Sequence, residues 1–405
     1  MQRKVLSGEK ISRLCEPPTH QVLSSSFLEL GDGGFDEGRR GLIASAVAPP
    51  VQESMVEGLD HLTPLSHDRG LIVRPFRPEN LDLTSLDLTV GAEIYECPVI
   101  YPDISIERLR DLARGGDAKK HGLNQGEEFI FYPEVQGKCK IYYVVSEEEV
   151  TIPESFGVFI DSKSTLGRLG CICHGATSPN QLRGGSKIVA AVRPYFFPIK
   201  ARAGKSQLFQ AAFTVDGDSH MSREQLLESK KFEVYIDRQK KDIAEVAQED
   251  KLKLTYSTRR FYVSKSISKA QLREIEPIDV DARGLDWGPY FELQEGNGEI
   301  ITKPRRLYLF GTREELRFRG VCGRIERAPG GELSGSWGQF AGIIQAGFDG
   351  RITMEYMTRE RRAISNGSLA GCVEVDEISG DVNLRMAQRS YCNQDAPALA
   401  KVFAA

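Results

Sequence analysis

The chain has 405 residues, 40% of them hydrophobic and 27% charged, with a formal net charge of −4. It is too long for one small core and fits two domains. That charge excludes bulk attraction to nucleic acid, and no apolar run approaches the roughly 20 residues of a membrane span. The polar start from Met1 to Lys10 lacks the apolar stretch of a secretion signal, and eight cysteines scattered through so long a chain read as reduced thiols of a cytoplasmic protein.

Residues 1–70 form a loop-rich N-terminal arm, with Gly-Asp-Gly-Gly at 31–34 between Pro17-Pro18 and Pro49-Pro50. From 71 to 215 the pattern is mainly β. Phe129 to Tyr132, Ile141 to Val145, Gly157 to Ile160 and Ile188 to Val192 are short β-rich runs broken by Gly, Pro and charge. Ser105 to Ala113, with Ile106, Leu109 and Leu112 on one face, is the clearest helix in this block. Residues 216–250 are a charged junction with helical candidates at Ser222–Lys230 and Lys240–Ala247. The strand pattern returns over 251–380, in Lys253–Tyr256, Phe261–Val263, Leu307–Phe310, Ile343-Ile344 and Ile352–Tyr356, and 381–405 is read as a tail.

The two β blocks look like diverged copies. Ile141-Tyr142-Tyr143 before Ser146-Glu147-Glu148-Glu149 corresponds to Leu307-Tyr308-Leu309 before Thr312-Arg313-Glu314-Glu315, an offset of about 165 residues. Many short strands with few helices in each copy predict a mainly β protein of two tandem jelly-roll or barrel lobes.

Within the first block, Asp161 to Gly170 reads Asp-Ser-Lys-Ser-Thr-Leu-Gly-Arg-Leu-Gly. One helical turn here places Ser164 and Arg168 on the same face, with unbonded amides beside a hydroxyl and a fork-shaped cation. That combination suits phosphate, although Ser-x-x-x-Arg is also common on exposed turns. In the second block, Ile352-Thr353-Met354-Glu355 alternates, so that Thr353 and Glu355 share a face, where a Glu is ordinarily just solvated. Cys171-x-Cys173-His174 lacks the four ligands of a zinc site, and the chain has no His-x-Glu with Pro-Cys-x-x-Cys of the zinc nucleobase deaminases. Both cysteines read as small core hydrophobes, and no metal is assigned to protein ligands.

Three segments in order resemble the dCTP deaminase and dUTPase superfamily. Residues 161–170 are similar to its phosphate motif, Asp-Gly-Arg-Ser-Ser-Leu-Ala-Arg-Leu-Gly; Leu83 to Gly91 resembles its early Pro-x-Ser-x-Asp-Leu-x-Leu-Gly strand; Gly347 to Glu355 resembles its Gly-Trp-x-Gly hairpin ending in Glu. The resemblance covers roughly residues 70–380 and implies two tandem dUTPase-like distorted jelly-roll lobes. It further implies a homo-oligomer, since members are trimers whose sites lie between subunits. Here the site components look divided. Lobe 1 keeps Ser164 and Arg168 but has Ala191 at the catalytic Glu position; lobe 2 keeps Glu355, while its equivalent turn at 324–331 has lost the phosphate motif. One composite inter-lobe site is therefore expected, formed within a chain or across subunits.

The implied activity is hydrolytic deamination of dCTP to dUTP and ammonia without zinc. Glu355 is the implied proton shuttle, Phe340, Ala341 and Gly342 read the base edge, and Lys163, Ser164, Thr165 and Arg168 hold the triphosphate with Mg²⁺. Gln345 stands in the substrate hairpin where family members have an acid that orients water in dUTPases, which weighs against pyrophosphohydrolysis; Asp349 is the nearest acid that could substitute. The alternatives are a nucleotide-binding regulator without chemistry and a dUTPase-like diphosphatase. The expected partner in every case is a deoxyribonucleoside triphosphate.

Overall fold

The computed structural model describes residues 4–6, 71–82, 84–133, 140–215, 220–268, 270–296, 298–326, 336–338, 341–379, 394 and 396–404. Contacts divide the chain into a unit of Met1–Cys15 with Gly70–Ala405 and a second of Glu16–Arg69. The first unit is the subject below; the expected arm at 1–70 falls outside the described residues except for the strand Lys4–Leu6.

Lobe 1 is built on β1 (Leu86–Cys97), β2 (Ile141–Thr151), β3 (Phe156–Ser162), β4 (Cys171–Gly175), β5 (Ser186–Pro194) and β6 (Gln207–Val215). Antiparallel pairing runs β1–β2–β5–β4–β3–β6 and back to β1, so the barrel closes and these strands leave no open edge. Cys171 and Cys173 point into its core, fully buried among Ile, Val and Leu side chains. Helix α1 (Ile106–Gly115) buries Ile106, Leu109 and Leu112 as its spacing requires. Ser105 caps its start by accepting from Arg108 N, and Gly116 ends it in the left-handed conformation.

Lobe 2 repeats the plan with β7 (Lys251–Ser264), β8 (Tyr308–Phe318), β9 (Val321–Glu326), β10 (Ile343–Ile344), β11 (Asp349–Thr358) and β12 (Leu369–Ser379). The pairs β7–β8, β8–β11, β7–β12 and β9–β12 match β1–β2, β2–β5, β1–β6 and β3–β6. The copies also share a polar device at the same strand irregularity. Ser146 Oγ donates to Glu148 O at 2.6 Å and accepts from Ile188 N at 2.9 Å. Thr312 Oγ1 donates to Glu314 O at 2.6 Å and accepts from Ile352 N at 3.0 Å. Glu148 and Glu314 then accept from Thr89 N and Thr255 N at 2.9 and 2.7 Å. Burial pushes both carboxyl pKa values up, and the amide bonds oppose that shift.

Three segments join the lobes. Lys4–Leu6 pairs antiparallel with β6 and parallel with β12, bridging the two sheets. The connector strand Ile278–Asp279 lies parallel to Ile199–Arg202, where Arg202 forks onto Asp279 at 2.7 Å and Asp281 at 3.2 Å. Residues 396–404, read from sequence as tail, return to lobe 1: Ala400, Val402 and Phe403 join its core beside Tyr290 and Phe291. The junction helices Arg223–Glu228 and Ile243–Val246 pack on lobe 2 through Leu226 and Val246. No helix among the described residues is long and apolar enough to cross a membrane.

Candidate active site

Leaving β3, the chain makes the single helical turn Ser164–Gly167 and ends it at Arg168, still in the right-handed helical region. Two apolar anchors, Leu166 and Leu169, are buried beneath it. Gly170 has φ +66, and a Cβ there would meet the Phe196 ring at 2.2 Å, so the turn requires glycine at its exit. Lys163, Ser164, Thr165 and Arg168 all line one cavity of about 250 Å³.

The opposite wall comes from lobe 2 of the same chain. Glu355 on β11 is 2% exposed and lines the cavity together with Ala341 and Gln345. Contact is direct, because a Cβ built on Gly167 would lie 2.9 Å from Ala341 Cβ and 3.1 Å from Glu355 Oε1. Strand register explains why lobe 1 lacks a counterpart. Tyr143 pairs with Ala191 as Leu309 pairs with Glu355, so Ala191 occupies the place of the carboxylate. Thr353, on the same face of β11 as Glu355, is equally buried, so this face is not the solvated one that alternation alone would suggest.

The side chains differ in their commitments. Arg168 is 5% exposed; its Nη1 donates to Ala398 O at 3.1 Å and Leu399 O at 3.4 Å, and its Nη2 donates to Gln394 Oε1 at 3.4 Å. Lys163 Nζ pairs with Asp87 and donates to Gln207 Oε1 at 2.8 Å. Gln345 turns its amide toward lobe 1: Oε1 accepts from Thr84 N at 3.1 Å and from the Thr84 hydroxyl, and Nε2 donates to Ser85 Oγ at 2.7 Å. Gly342 N donates to Asp161 Oδ2 at 2.5 Å. Phe340 lies outside the described residues. Asp349 is paired with Arg317 at 3.2 Å rather than set against the cavity, so it does not replace the acid missing at 345.

Sequence reasoning missed two cations and gave two acids no role. Arg283, from the connector, and Lys401, from the C-terminal segment, line the same cavity. They are set side by side because Leu285 N donates to Val402 O at 2.9 Å and Ala404 N donates to Leu285 O at 2.8 Å. Burial, with the charges of Lys163, Arg168 and Arg283, pushes the Lys401 ammonium below its usual pKa, while Asp82 opposes the shift. No motif surrounds either cation; only the folded path of the chain brings them in. Glu79 and Asp82 also face the cavity and are oxygen donors of the kind Mg²⁺ accepts beside a polyphosphate.

With this geometry in place, comparison with known proteins is informative. Residues 60–213 match the family model DCD, dCTP deaminase-like. The chain therefore carries a dCTP deaminase-like domain. Lobe 1 is thus similar to dCTP deaminase-like domains, and lobe 2 repeats the fold. Among solved structures, 2'-deoxycytidine 5'-triphosphate deaminase from Agrobacterium tumefaciens is similar at a TM-score of 0.63 and 20% identity, over 78% of this chain and 93% of that one. That likeness spans more than the dCTP deaminase-like domain alone and supports the same fold for both lobes. A search of the curated proteins finds no match.

Proposed function

We propose that the chain is a dCTP deaminase, converting dCTP and water to dUTP and ammonia in the cytoplasm, at a site assembled from both of its lobes. One observation carries this reading: the phosphate turn of lobe 1 and the buried Glu355 of lobe 2 pack against each other at Gly167 and open on one cavity. A pure scaffold would have no use for a carboxylate buried beside a cationic turn.

In this reading the triphosphate lies against Lys163, Ser164, Thr165 and Arg168, and the cytosine edge meets the main chain at Ala341; Gly342, expected beside it, instead gives its N–H to Asp161 and its carbonyl to Ile325 N. Glu79 and Asp82 are the carboxylates that would hold a Mg²⁺ bound to the triphosphate, which would neutralise part of its charge. Glu355 takes a proton from the water that attacks C4 and delivers it to N3; it then takes the remaining proton from the C4 hydroxyl and passes it to the amino group, so that the C–N bond breaks, ammonia leaves and the C4 carbonyl forms. The wall of Ile344, Phe348 and Ile352 keeps bulk water from the base. The site needs no second chain for these groups, so an oligomer, if formed, would multiply sites rather than complete this one.

A diphosphatase reading is weakened at Gln345, because its neutral amide cannot accept a proton from water and is engaged with Thr84 and Ser85. A nucleotide-binding regulator is the runner-up, favoured by the engagement of Arg168 with the C-terminal segment. Purified protein incubated with dCTP, CTP or dUTP and Mg²⁺, with ammonia and pyrophosphate followed separately, distinguishes the three. Ammonia from dCTP supports deamination. Pyrophosphate from dUTP alone supports a diphosphatase. Nucleotide-induced thermal stabilisation without turnover supports the regulator.

A further inference from the structure

We infer that Asp161 is a positioning residue: from lobe 1 it fixes the loop of lobe 2 that carries Ala341 and Gly342 beside Glu355. The inference rests on the reading that this loop meets the base.

Asp161, next to the last residue of β3, is 8% exposed and is held by main-chain amides. Oδ1 accepts from Ser162 N at 2.7 Å, Oδ2 accepts from Gly342 N at 2.5 Å, and the Ile343 amide also reaches the carboxylate. Burying a carboxyl at this depth is unfavourable unless its oxygens are fully bonded. Here the amides only partly compensate, and desolvation still pushes the carboxyl up to about 6. Two of the three amides belong to the other lobe, so the carboxylate is satisfied only when the loop is seated. A neutral side chain could bridge the lobes at less cost, so the acid is explained by orienting those amides.

The neighbourhood supports a constrained loop. Gly342 O accepts from Ile325 N at 2.8 Å, which holds the same peptide from the lobe 2 side. Three residues on, Gln345 is gripped by Thr84 and Ser85, and Ser85 Oγ also donates to Gln210 Oε1 at 3.1 Å. Gln210 in turn donates to Ser162 O at 3.1 Å, returning the network to the residue after Asp161. The loop is thus clamped at 342–343 and at 345 by one hydrogen-bonded group of lobe 1. Asp161 is also three residues from Ser164 in a continuous segment. The strand end that sets the phosphate turn therefore sets the loop beside Glu355, which fixes the distance between the triphosphate and the cytosine ring.

The test uses the full-length chain with Asp161→Ala and the near-isosteric Asp161→Asn, read first by hydrogen–deuterium exchange of the 341–348 peptide. In D161A that peptide should exchange roughly tenfold faster, with β1 and β6 peptides unchanged and D161N intermediate. With dCTP as substrate, kcat should fall roughly tenfold or more while KM changes by less than about threefold, the signature of misalignment rather than lost binding. Unchanged exchange at 341–348 in a folded variant overturns the inference, and so does a loss confined to KM. Should D161A fail to fold, the same two readouts on D161N decide. The exchange result does not depend on turnover, so an inactive wild-type protein would overturn the deaminase reading and leave the loop measurement standing.

Discussion

Gly167 is the point at which the two lobes press on each other, and replacing it with alanine tests the composite site directly. The added methyl would sit 2.9 Å from Ala341 Cβ, 3.1 Å from Ala341 N and 3.1 Å from Glu355 Oε1. Ordinary contact begins near 3.4 Å, so the turn and the lobe 2 wall must part by about half an ångström at Ala341 and less at Glu355. Local conformation pulls the other way, because Ala is preferred to Gly in a helical turn by about 1 kcal/mol. Overpacking a close contact costs about 1–3 kcal/mol, which leaves a net loss of about 1 kcal/mol. The effect on chemistry should be larger, since an ångström of misplacement costs about a hundredfold in rate; a loss of roughly tenfold in kcat is expected. Ammonia release and thermal unfolding are the assays, and Gly115→Ala is the control. A Cβ at Gly115 meets nothing closer than the Asp117 carboxylate at 3.7 Å, so that change should be neutral or stabilising. If G167A keeps full kcat and the Tm of the parent, turn and carboxylate are not packed as described and the composite site fails.

Three further outcomes are expected. Glu355→Gln keeps shape and burial but cannot shuttle protons; ammonia release should vanish while dCTP still raises Tm, and retained turnover would remove Glu355 from the chemistry. Arg168→Ala should weaken triphosphate binding and also release residues 394–404, whose carbonyls the guanidinium holds; limited proteolysis near the C-terminus should accelerate, and an unaltered cleavage pattern would contradict that second role. Asp161, pushed from an ordinary 3.8 to about 6, holds its proton more tightly in the folded than in the unfolded chain. Its favourable contribution to stability is therefore complete below pH 3.8 and is lost as pH rises through 6, a difference of about 3 kcal/mol. Stability of the parent relative to D161N should fall across that window in denaturant titrations, and a flat difference would refute the shift.

The repeat and the turn at Ser164–Gly167 were legible because each is local. Ser146, Glu148 and Glu149 have Thr312, Glu314 and Glu315 at one offset, and the hydroxyl hydrogen bonds of Ser146 and Thr312 prove equivalent. Residues 161–170 specify their own turn, since Leu166 and Leu169 bury beneath it while Lys163, Ser164, Thr165 and Arg168 turn to the cavity. Glu355 was found through its motif, whereas alternation placed it on a solvated face; burial of both faces of β11 comes from packing against lobe 1, which no local period encodes. The C-terminal segment was misread as tail because Ala400, Val402 and Phe403 form too short a pattern to announce a core.

The amino-acid sequence on its own determined the strands and the duplication, since these follow from near-neighbour preferences and burial of alternate side chains. Tertiary structure alone decided that both halves meet within one chain, that Arg283 and Lys401 join them, and that Gln345 and Asp161 face across the lobes. The bonds of Gly342 to Asp161 and of Thr84 to Gln345 span 181 and 261 residues of chain. Their energies depend on the distance closed by folding, and that distance has no trace in the spacing of letters along the chain.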